Sequence, residues 1–257
     1  MKSLKTLQVA QALWLRDTLR FRKERSRWIG LVSQPLMFWG LIGFGLNKVV
    51  SLPESGENYL QFFYSGSLVM CLLFTTLFGS ISLIEDAQSG FLRAILASPA
   101  PKLGIALGKV FGLITLVLVQ LIILLGFAPI ADLSLMDVNW LQFAITAVIG
   151  TATLAGINLG AALLINSVQG FHAVMGLILF PLWIISGAMF PIPSEGALGL
   201  LSAFNPMTHI ATLFRAALIP EAAIGTAPIA SGILSLQAIL SLWFATAMIK
   251  NRRVQSV

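Results

Sequence analysis

Few stretches of this chain have residue types at spacings that could do chemistry. Gly104-Ile105-Ala106-Leu107-Gly108-Lys109-Val110 comes nearest to a loop that cradles phosphate. Such a loop needs four residues between its glycines, and a Ser or Thr after the lysine to hold magnesium. Here three residues intervene, Val110 follows, and the stretch lies in an apolar run. No spacing suggests a Ser-His-Asp set. His172 and His209 stand far apart and Cys71 is the single cysteine, so neither a zinc site nor an intrachain disulfide is indicated. Both histidines read as hydrogen-bonded membrane residues. The chain is expected not to be an enzyme and to hold no metal or cofactor of its own.

Recognition is a different matter. Residues 84–102, IEDAQSGFLRAILASPAPK, interrupt an otherwise apolar chain with two acids, a Gly, an Arg and a Ser-Pro. Read as one helix, they put Ala87, Phe91 and Ile95 on one stripe and Glu85, Ser89 and Arg93 on another. Glu85 and Asp86 at its start and Arg93 nearer its end would complement the helix dipole. Pro99 would end it. A helix this short is marginal alone in water. It therefore either docks into a partner, with Phe91 and its neighbours filling a cleft, or rests on lipid headgroups.

The elements that must position this stretch follow from composition. The 257 residues are 57% hydrophobic and 10% charged, with a mean hydropathy of +0.90. Soluble domains carry roughly 25% charged residues, so the chain is expected to be an all-α polytopic membrane protein. Runs long enough to cross a bilayer as helices fall at 28–49, 59–83, 103–126, 139–165, 170–190 and 229–249. The first is expected to be retained, because the preceding 27 residues are too long and basic for a signal peptide and no cleavage site follows. With both termini inside, 14 of the 16 basic residues fall inside, leaving Lys48 and Arg215 outside. Six of the ten acids, Glu54, Glu57, Asp132, Asp137, Glu195 and Glu221, fall outside. The positive-inside rule thus predicts cytoplasmic termini and a cytoplasmic 84–102 stretch. This topology accounts for the net charge of +6 without nucleic acid. The chain reads as a single domain over 1–257, with an interface helix at 1–27, six spans over 28–249 and a tail at 250–257.

Arg16, Arg20, Lys23 and Arg27 recur at spacings of 4, 3 and 4, which places them on one helical face opposite Leu7, Ala10, Trp14 and Phe21. This predicts an amphipathic helix on the membrane surface, leading into the first span and in contact with lipid. Gly104, Gly108 and Gly112, and likewise Ala152, Gly156 and Gly160, form small-residue stripes for close helix packing. Pro35 and Pro181 are expected to kink the first and fifth spans. No acid falls deep within a predicted span, which argues against proton or sodium coupling.

Four stretches together resemble the permease subunits of type-2 ABC transporters, which export drugs, polysaccharides and lipids. Residues 85–101, EDAQSGFLRAILASPAP, are similar to the family's coupling helix, with Glu85, Gly90, Phe91, Leu92, Ile95, Leu96, Ser98 and Pro99 filling its pattern. Arg93 stands where an acid is common. QPLMFWGLIGFGL at 34–46 resembles the first span, SGAMFPI at 186–192 the end of the fifth, and FNPMTHIATLFRAAL at 204–218 the segment before the last. The resemblance implies an exporter subunit with no ATP site, whose ATP and magnesium sit on a separate ABC ATPase bound in two copies. It also implies a second permease copy, a bacterial-type plasma membrane and a hydrophobic, lipid-linked or drug-like substrate. Glu85, Asp86, Ser89, Gly90, Phe91, Leu92, Arg93, Ile95, Leu96, Ser98 and Pro99 would meet the ATPase. Gly187, Pro191, Asn205, Pro206 and Thr208 would shape re-entrant helices forming an external gate. A membrane scaffold that recruits a cytosolic partner, or a passive channel, are the competing readings of the residues alone.

Overall fold

The apolar runs become helices, and the prolines and caps decide where those helices bend and stop. The computed structural model describes residues 2–50, 58–193, 195–219 and 226–251. Glu54, Glu57, Glu221, Arg252 and Arg253, with the rest of the tail after Asn251, lie outside the described residues. Among the described residues there is no strand. Helix α1 spans Lys2–Lys23, α2 Arg25–Phe38, α3 Phe44–Leu46, α4 Tyr59–Gln88, α5 Phe91–Ala97, α6 Lys102–Leu125 and α7 Trp140–Ile165. They are followed by α8 Val168–Val174, α9 Phe180–Trp183, α10 Gly196–Phe204, α11 Pro206–Leu218 and α12 Ala227–Asn251. Among the described residues, six helical stretches are long and apolar enough to cross a membrane: Trp28–Leu46, Tyr59–Gln88, Lys102–Leu125, Trp140–Ile165, Val168–Ala188 and Ala227–Asn251. The protein is an all-α, multi-pass membrane protein. These spans match the sequence boundaries within a few residues, except that the second continues to Gln88.

Helix α4 is the centre of the bundle. Its apolar window is 89% buried, against 22% and 24% for the first and fifth spans. It opens with a capping box, in which the Asn58 side chain accepts from the Gln61 N–H and the Gln61 side chain accepts from the Asn58 N–H. Within the bundle, Thr75 donates to Gln120 Oε1 of α6 at 2.6 Å, and Asn158 of α7 donates to Thr76 at 2.9 Å. These hydrogen bonds between side chains fix the register of three spans in a solvent that offers no competing partner.

Both small-residue stripes serve close packing, and the structure identifies what they admit. The stripe on α6 receives α1 rather than another span. A Cβ at Gly104 would stand 2.7 Å from the Thr6 carbonyl oxygen, and one at Gly108 would stand 2.8 Å from that of Ala10. The stripe on α7 receives α12, with Ser241 over Gly156 and Phe244 over Gly160.

Helix α1 accordingly has three faces. Ala10, Leu13, Asp17 and Phe21 are buried, with Leu13 and Phe21 in an apolar cluster with α6. Leu4, Leu7, Leu15 and Leu19 form an exposed apolar stripe, as in a helix lying in a membrane surface. Arg16 and Arg20 turn toward α4. Leu7 is thus on a different face from Ala10 and Phe21, which corrects the two-sided reading. The predicted basic stripe is also broken, because Glu24 separates α1 from α2 and Arg27 belongs to the latter. The Trp28 indole bridges the break by donating to the Phe21 carbonyl at 3.0 Å.

The proline-bearing spans are the irregular ones. Pro35 precedes a π-helical turn at Trp39–Gly43, and Pro181 lies between two such turns at Met175–Leu179 and Ile184–Ala188. A ring with no N–H, clashing with the carbonyl four residues back, loosens the α-helical ladder there. Helices α1 and α12 share one apolar cluster with α5, to which Leu13, Phe21, Leu92, Leu96, Ala245 and Ile249 belong. The last turns of α12 therefore lie beside α5 and the second half of α1.

The close approach of α1 to α6 makes a specific prediction. Gly108→Val should cost about 1–3 kcal/mol by overpacking and release α1, lowering the melting temperature in detergent and exposing α1 to protease. Gly232→Ala on α12, where a Cβ meets nothing within 4 Å, should leave both measurements unchanged.

Candidate functional site

The 84–102 stretch is two helices, not one. Gly90 has φ +81°, a left-handed conformation that glycine adopts without steric cost, and the chain turns there. Glu85 and Asp86 therefore sit in the last turn of α4, where the negative end of the helix dipole disfavours acids. Arg93 falls in the first turn of α5 instead of near the end of a longer helix. The predicted stripes through Ala87 and Phe91, and through Glu85 and Arg93, do not exist as single helix faces.

Cations from two other elements compensate those acids. Arg16 of α1 grips Asp86 with both guanidinium nitrogens, Nη2 to Oδ1 at 2.7 Å and Nη1 to Oδ2 at 3.0 Å. Lys109 of α6 places its ammonium 2.7 Å from Asp86 Oδ2 and 2.9 Å from Asp17 Oδ2. Arg20 reaches Glu85 at 2.8 Å, Asp86 at 3.4 Å and Glu24 at 3.3 Å. The side chains of Asp17, Asp86 and Lys109 are 4–6% exposed. Hydrogen bonding to Asp86 raises the Arg16 pKa above its ordinary value, against the opposing effect of burial. Burial lowers that of Arg20, but Asp86, Glu24 and Glu85 outweigh it and the net shift is upward. Both guanidiniums stay charged and are engaged with acids of the chain itself.

Sequence reasoning missed Asp17 and Lys109 as members of this cluster. Asp17 lies at the 3, 4, 4 spacing of Ala10, Leu13 and Phe21, so a charge on that apolar stripe was the available signal. Lys109 is a lone cation in an apolar run, which by itself calls for a partner. Asp86 is correspondingly on a span helix rather than beyond it, although in its last turn and not at its centre.

Beyond Gly90, α5 turns Leu92 and Leu96 inward, where they are 3% and 7% exposed. Phe91 is half-buried, and the Arg16 guanidinium lies 3.7 Å from its ring centroid. The outward residues are Ser89, Arg93, Ala94, Ala97 and Pro99, with Ile95 and Ser98 partly exposed. The face of α5 open to a partner therefore carries one guanidinium, Arg93, among small residues, and Phe91 is not its projecting knob. The helix stops at Ala97, where Ser98 adopts the extended backbone required before Pro99. The Ser98 hydroxyl donates to the Ile95 carbonyl at 2.6 Å, and Lys102 donates to that of Leu96 at 3.2 Å.

The second group of predicted residues gathers near the other end of α4. Helices α10 and α11 meet at 81° across Asn205. Asn205 caps α11 by accepting from the Met207 N–H at 3.0 Å, and its Nδ2 donates to the Leu182 carbonyl at 2.6 Å. Pro206 occupies the first helical position, where a missing N–H costs nothing. Gly187, with φ +75°, accepts from Arg215 at 3.3 Å through its carbonyl, and Arg215 also covers the Phe62 ring at 3.9 Å. His209 donates to the Ala203 carbonyl at 2.9 Å, and His172 to that of Val168 at 2.9 Å. Asn205 and Gly187 are thereby tied to one assembly, whereas Pro191 is exposed on the connector and Thr208 offers its carbonyl to Thr212.

Helix α4 links the two groups. Tyr59 in its first turn donates to the Met189 carbonyl at 3.1 Å, and Gly66 accepts the Trp183 indole at 3.3 Å. Asp86 lies in its last turn. A 30-residue helix is about 45 Å long, so one continuous element joins the two polar assemblies.

The family model for ABC-2 type transporters matches residues 8–219, from α1 past the end of α11. The chain belongs to the ABC-2 type transporter family. It is also 29% identical over 199 residues to a protein of Cyanophora paradoxa that carries the name transport permease ycf38, covering 74% of this chain and 68% of that protein. The ABC-2 membership makes this chain a transport permease subunit, in a family whose permeases generally work with an ABC ATPase. Both polar assemblies of the permease lie within the matched region.

The buried charges of the permease make a further prediction. Lys109→Met should cost about 3–5 kcal/mol, because it leaves the buried Asp17 and Asp86 to share Arg16, with only the longer contact from Arg20 added at Asp86. Adding Asp17→Leu should recover part of that loss, since the bidentate Arg16–Asp86 pair stays intact. Melting temperatures of the three proteins in one detergent decide the point.

Proposed function

We propose that this chain is the membrane half of an ATP-driven exporter, that two ABC ATPase subunits engage it through α5, and that it carries a hydrophobic, lipid-linked or drug-like substrate outward. The observation that carries the reading is the mounting of α5. A short helix whose outward face sets Arg93 between alanines hangs from the left-handed turn at Gly90, and the Asp86–Arg16–Lys109 cluster anchors the end of α4 just before it. A helix so mounted moves with α4, and α4 reaches the Tyr59–Met189 contact at the far end. ATP-driven closure of the partner would then tilt α4 and disturb the Gly187–Arg215 and Asn205–Leu182 ties, opening an exit there. In this reading α5 and both termini are cytoplasmic, consistent with the basic residues around them, and the membrane is a bacterial-type plasma membrane.

The test starts from gentle solubilisation of the tagged chain and identification of what co-purifies. A stoichiometric ABC ATPase whose hydrolysis responds to the permease supports the reading. Gly90→Val, which strains the left-handed turn by about 1–2 kcal/mol, should preserve folding yet uncouple hydrolysis from transport. Absence of any ATPase, in a detergent that preserves comparable complexes, would return the chain to the scaffold or channel readings.

A second copy of the chain completes the proposed transporter. Glycines on the third and fourth spans are occupied by in-chain neighbours, whereas Gly40 and Gly176 on the first and fifth spans have nothing within 4 Å of a built Cβ. Those two spans are also the least buried of the six. Open small-residue faces on poorly buried spans suit close packing against a second copy. With Cys71 replaced by Ser, Gly40→Cys should cross-link into a dimer in native membranes, whereas Gly156→Cys, under Ser241, should not. Monomers under both conditions would count against this interface.

A further inference from the structure

The charges around α5 do not balance, and the imbalance points outward. Four acids occupy this end of the described protein: Asp17, Glu24, Glu85 and Asp86. Each is paired within the chain, Asp17 with Arg16 and Lys109, Glu24 and Glu85 with Arg20, and Asp86 with Arg16, Arg20 and Lys109. Arg93 has no such partner among the described residues and is exposed. The helix does not explain it either, because the first turn is where the dipole disfavours a cation. Its neighbours on the open face of α5 are Ala94 and Ala97, small enough for another surface to approach closely around it. An unpaired guanidinium on a helix face flanked by alanines suits a groove that supplies a carboxylate.

We infer that the ATPase docks α5 in a groove carrying at least one acidic side chain, and that Arg93 is the residue of this permease that selects such an ATPase over one with a basic groove. The inference rests on the proposed ATPase partnership and adds the chemistry of its contact. A guanidinium meeting a carboxylate in a fork-to-fork geometry combines charge with orientation. Like charges brought together at the same place repel, which rejects the wrong partner. The permease's own acids are engaged in the cluster beside α5, so α5 offers a basic groove no compensating carboxylate. The exposed cations Arg22 and Lys23 at the end of α1 add to the positive field that would steer an acidic surface toward this end.

The experiment uses the intact permease and the ABC ATPase that co-purifies with it. Arg93→Glu and Arg93→Gln are made together with Arg93→Cys in a Cys71→Ser background, and unchanged melting temperatures verify their folding. Affinity for the ATPase should fall on the order of tenfold or more for Arg93→Glu and by less for Arg93→Gln. Raising the salt concentration should weaken the native complex more than the Gln variant. Cross-linking from Arg93→Cys should identify an Asp or Glu in the ATPase groove, and changing that acid to Lys should restore binding to Arg93→Glu. An ATPase that binds Arg93→Glu as tightly as the native chain overturns the inference while leaving the partnership standing. The inference is overturned equally if Arg93→Glu loses only its association with anionic phosphatidylglycerol vesicles, which would make Arg93 a headgroup contact. If the native permease brings down no ATPase at all, the partnership and the inference fall together.

Discussion

A single ammonium group between two buried carboxylates sets the geometry of the end of the molecule that carries α5. Lys109 contacts Asp17 and Asp86 at 2.9 and 2.7 Å, and none of the three side chains is more than 6% exposed. Charges taken out of water at that depth incur several kcal/mol each unless their partners are near and well aligned. The surface helix α1, the end of α4 and the third span are thereby held to one register. Sliding any of them by a turn would strand a charge. The glycine stripe on α6 is the steric counterpart of the same requirement, because α1 reaches Lys109 only by lying against backbone.

From that anchor the mechanical differences between the spans follow. Helix α4 is one unbroken helix from Tyr59 to Gln88, buried by its neighbours and tied through Thr75 and Thr76 to α6 and α7. The first and fifth spans instead carry π-helical turns beside Pro35 and Pro181 and are largely unburied within the chain. A stiff central element beside two compliant ones is a suitable arrangement for carrying a displacement from α5 to the Gly187 and Asn205 region. Gly40 and Gly176 on these compliant spans have nothing within 4 Å of a built Cβ, so no in-chain neighbour braces them there.

Much of this was legible in the sequence because the governing physics is local. Twenty-residue apolar runs must be helices in a bilayer, and the observed spans agree with them closely. The two small-residue stripes announced close packing, and Pro99 stopped a helix where the backbone constraint demands it. Asn205-Pro206 carried a cap and a first helical position in two adjacent letters. The 84–102 segment stood out because polar residues between long spans need a reason. Its internal structure did not, because helical periodicity continues smoothly on paper through Gly90 and nothing in residue spacing reports a positive φ. That one angle moves Glu85 and Asp86 from the start of one helix to the end of another, and Arg93 from the end to the start.

The sequence by itself determined the number of spans, the limits of all but the second, the breaks at its prolines and the place of the exposed helix, since each depends on neighbours within a few residues. Only the tertiary structure decided which charges are paired and which are open. Arg16 and Arg20 looked like surface anchors, yet they are bound to acids 65 to 70 positions away. Lys109, which the sequence offered only as the lysine of a failed phosphate loop, is the centre of the cluster. Arg93 looked like one member of a helix-stabilising pattern and stands without a partner among the described residues. Pairing at that range is set by how α1, α4 and α6 pack, and packing is a property of the assembled bundle that no run of adjacent residues encodes.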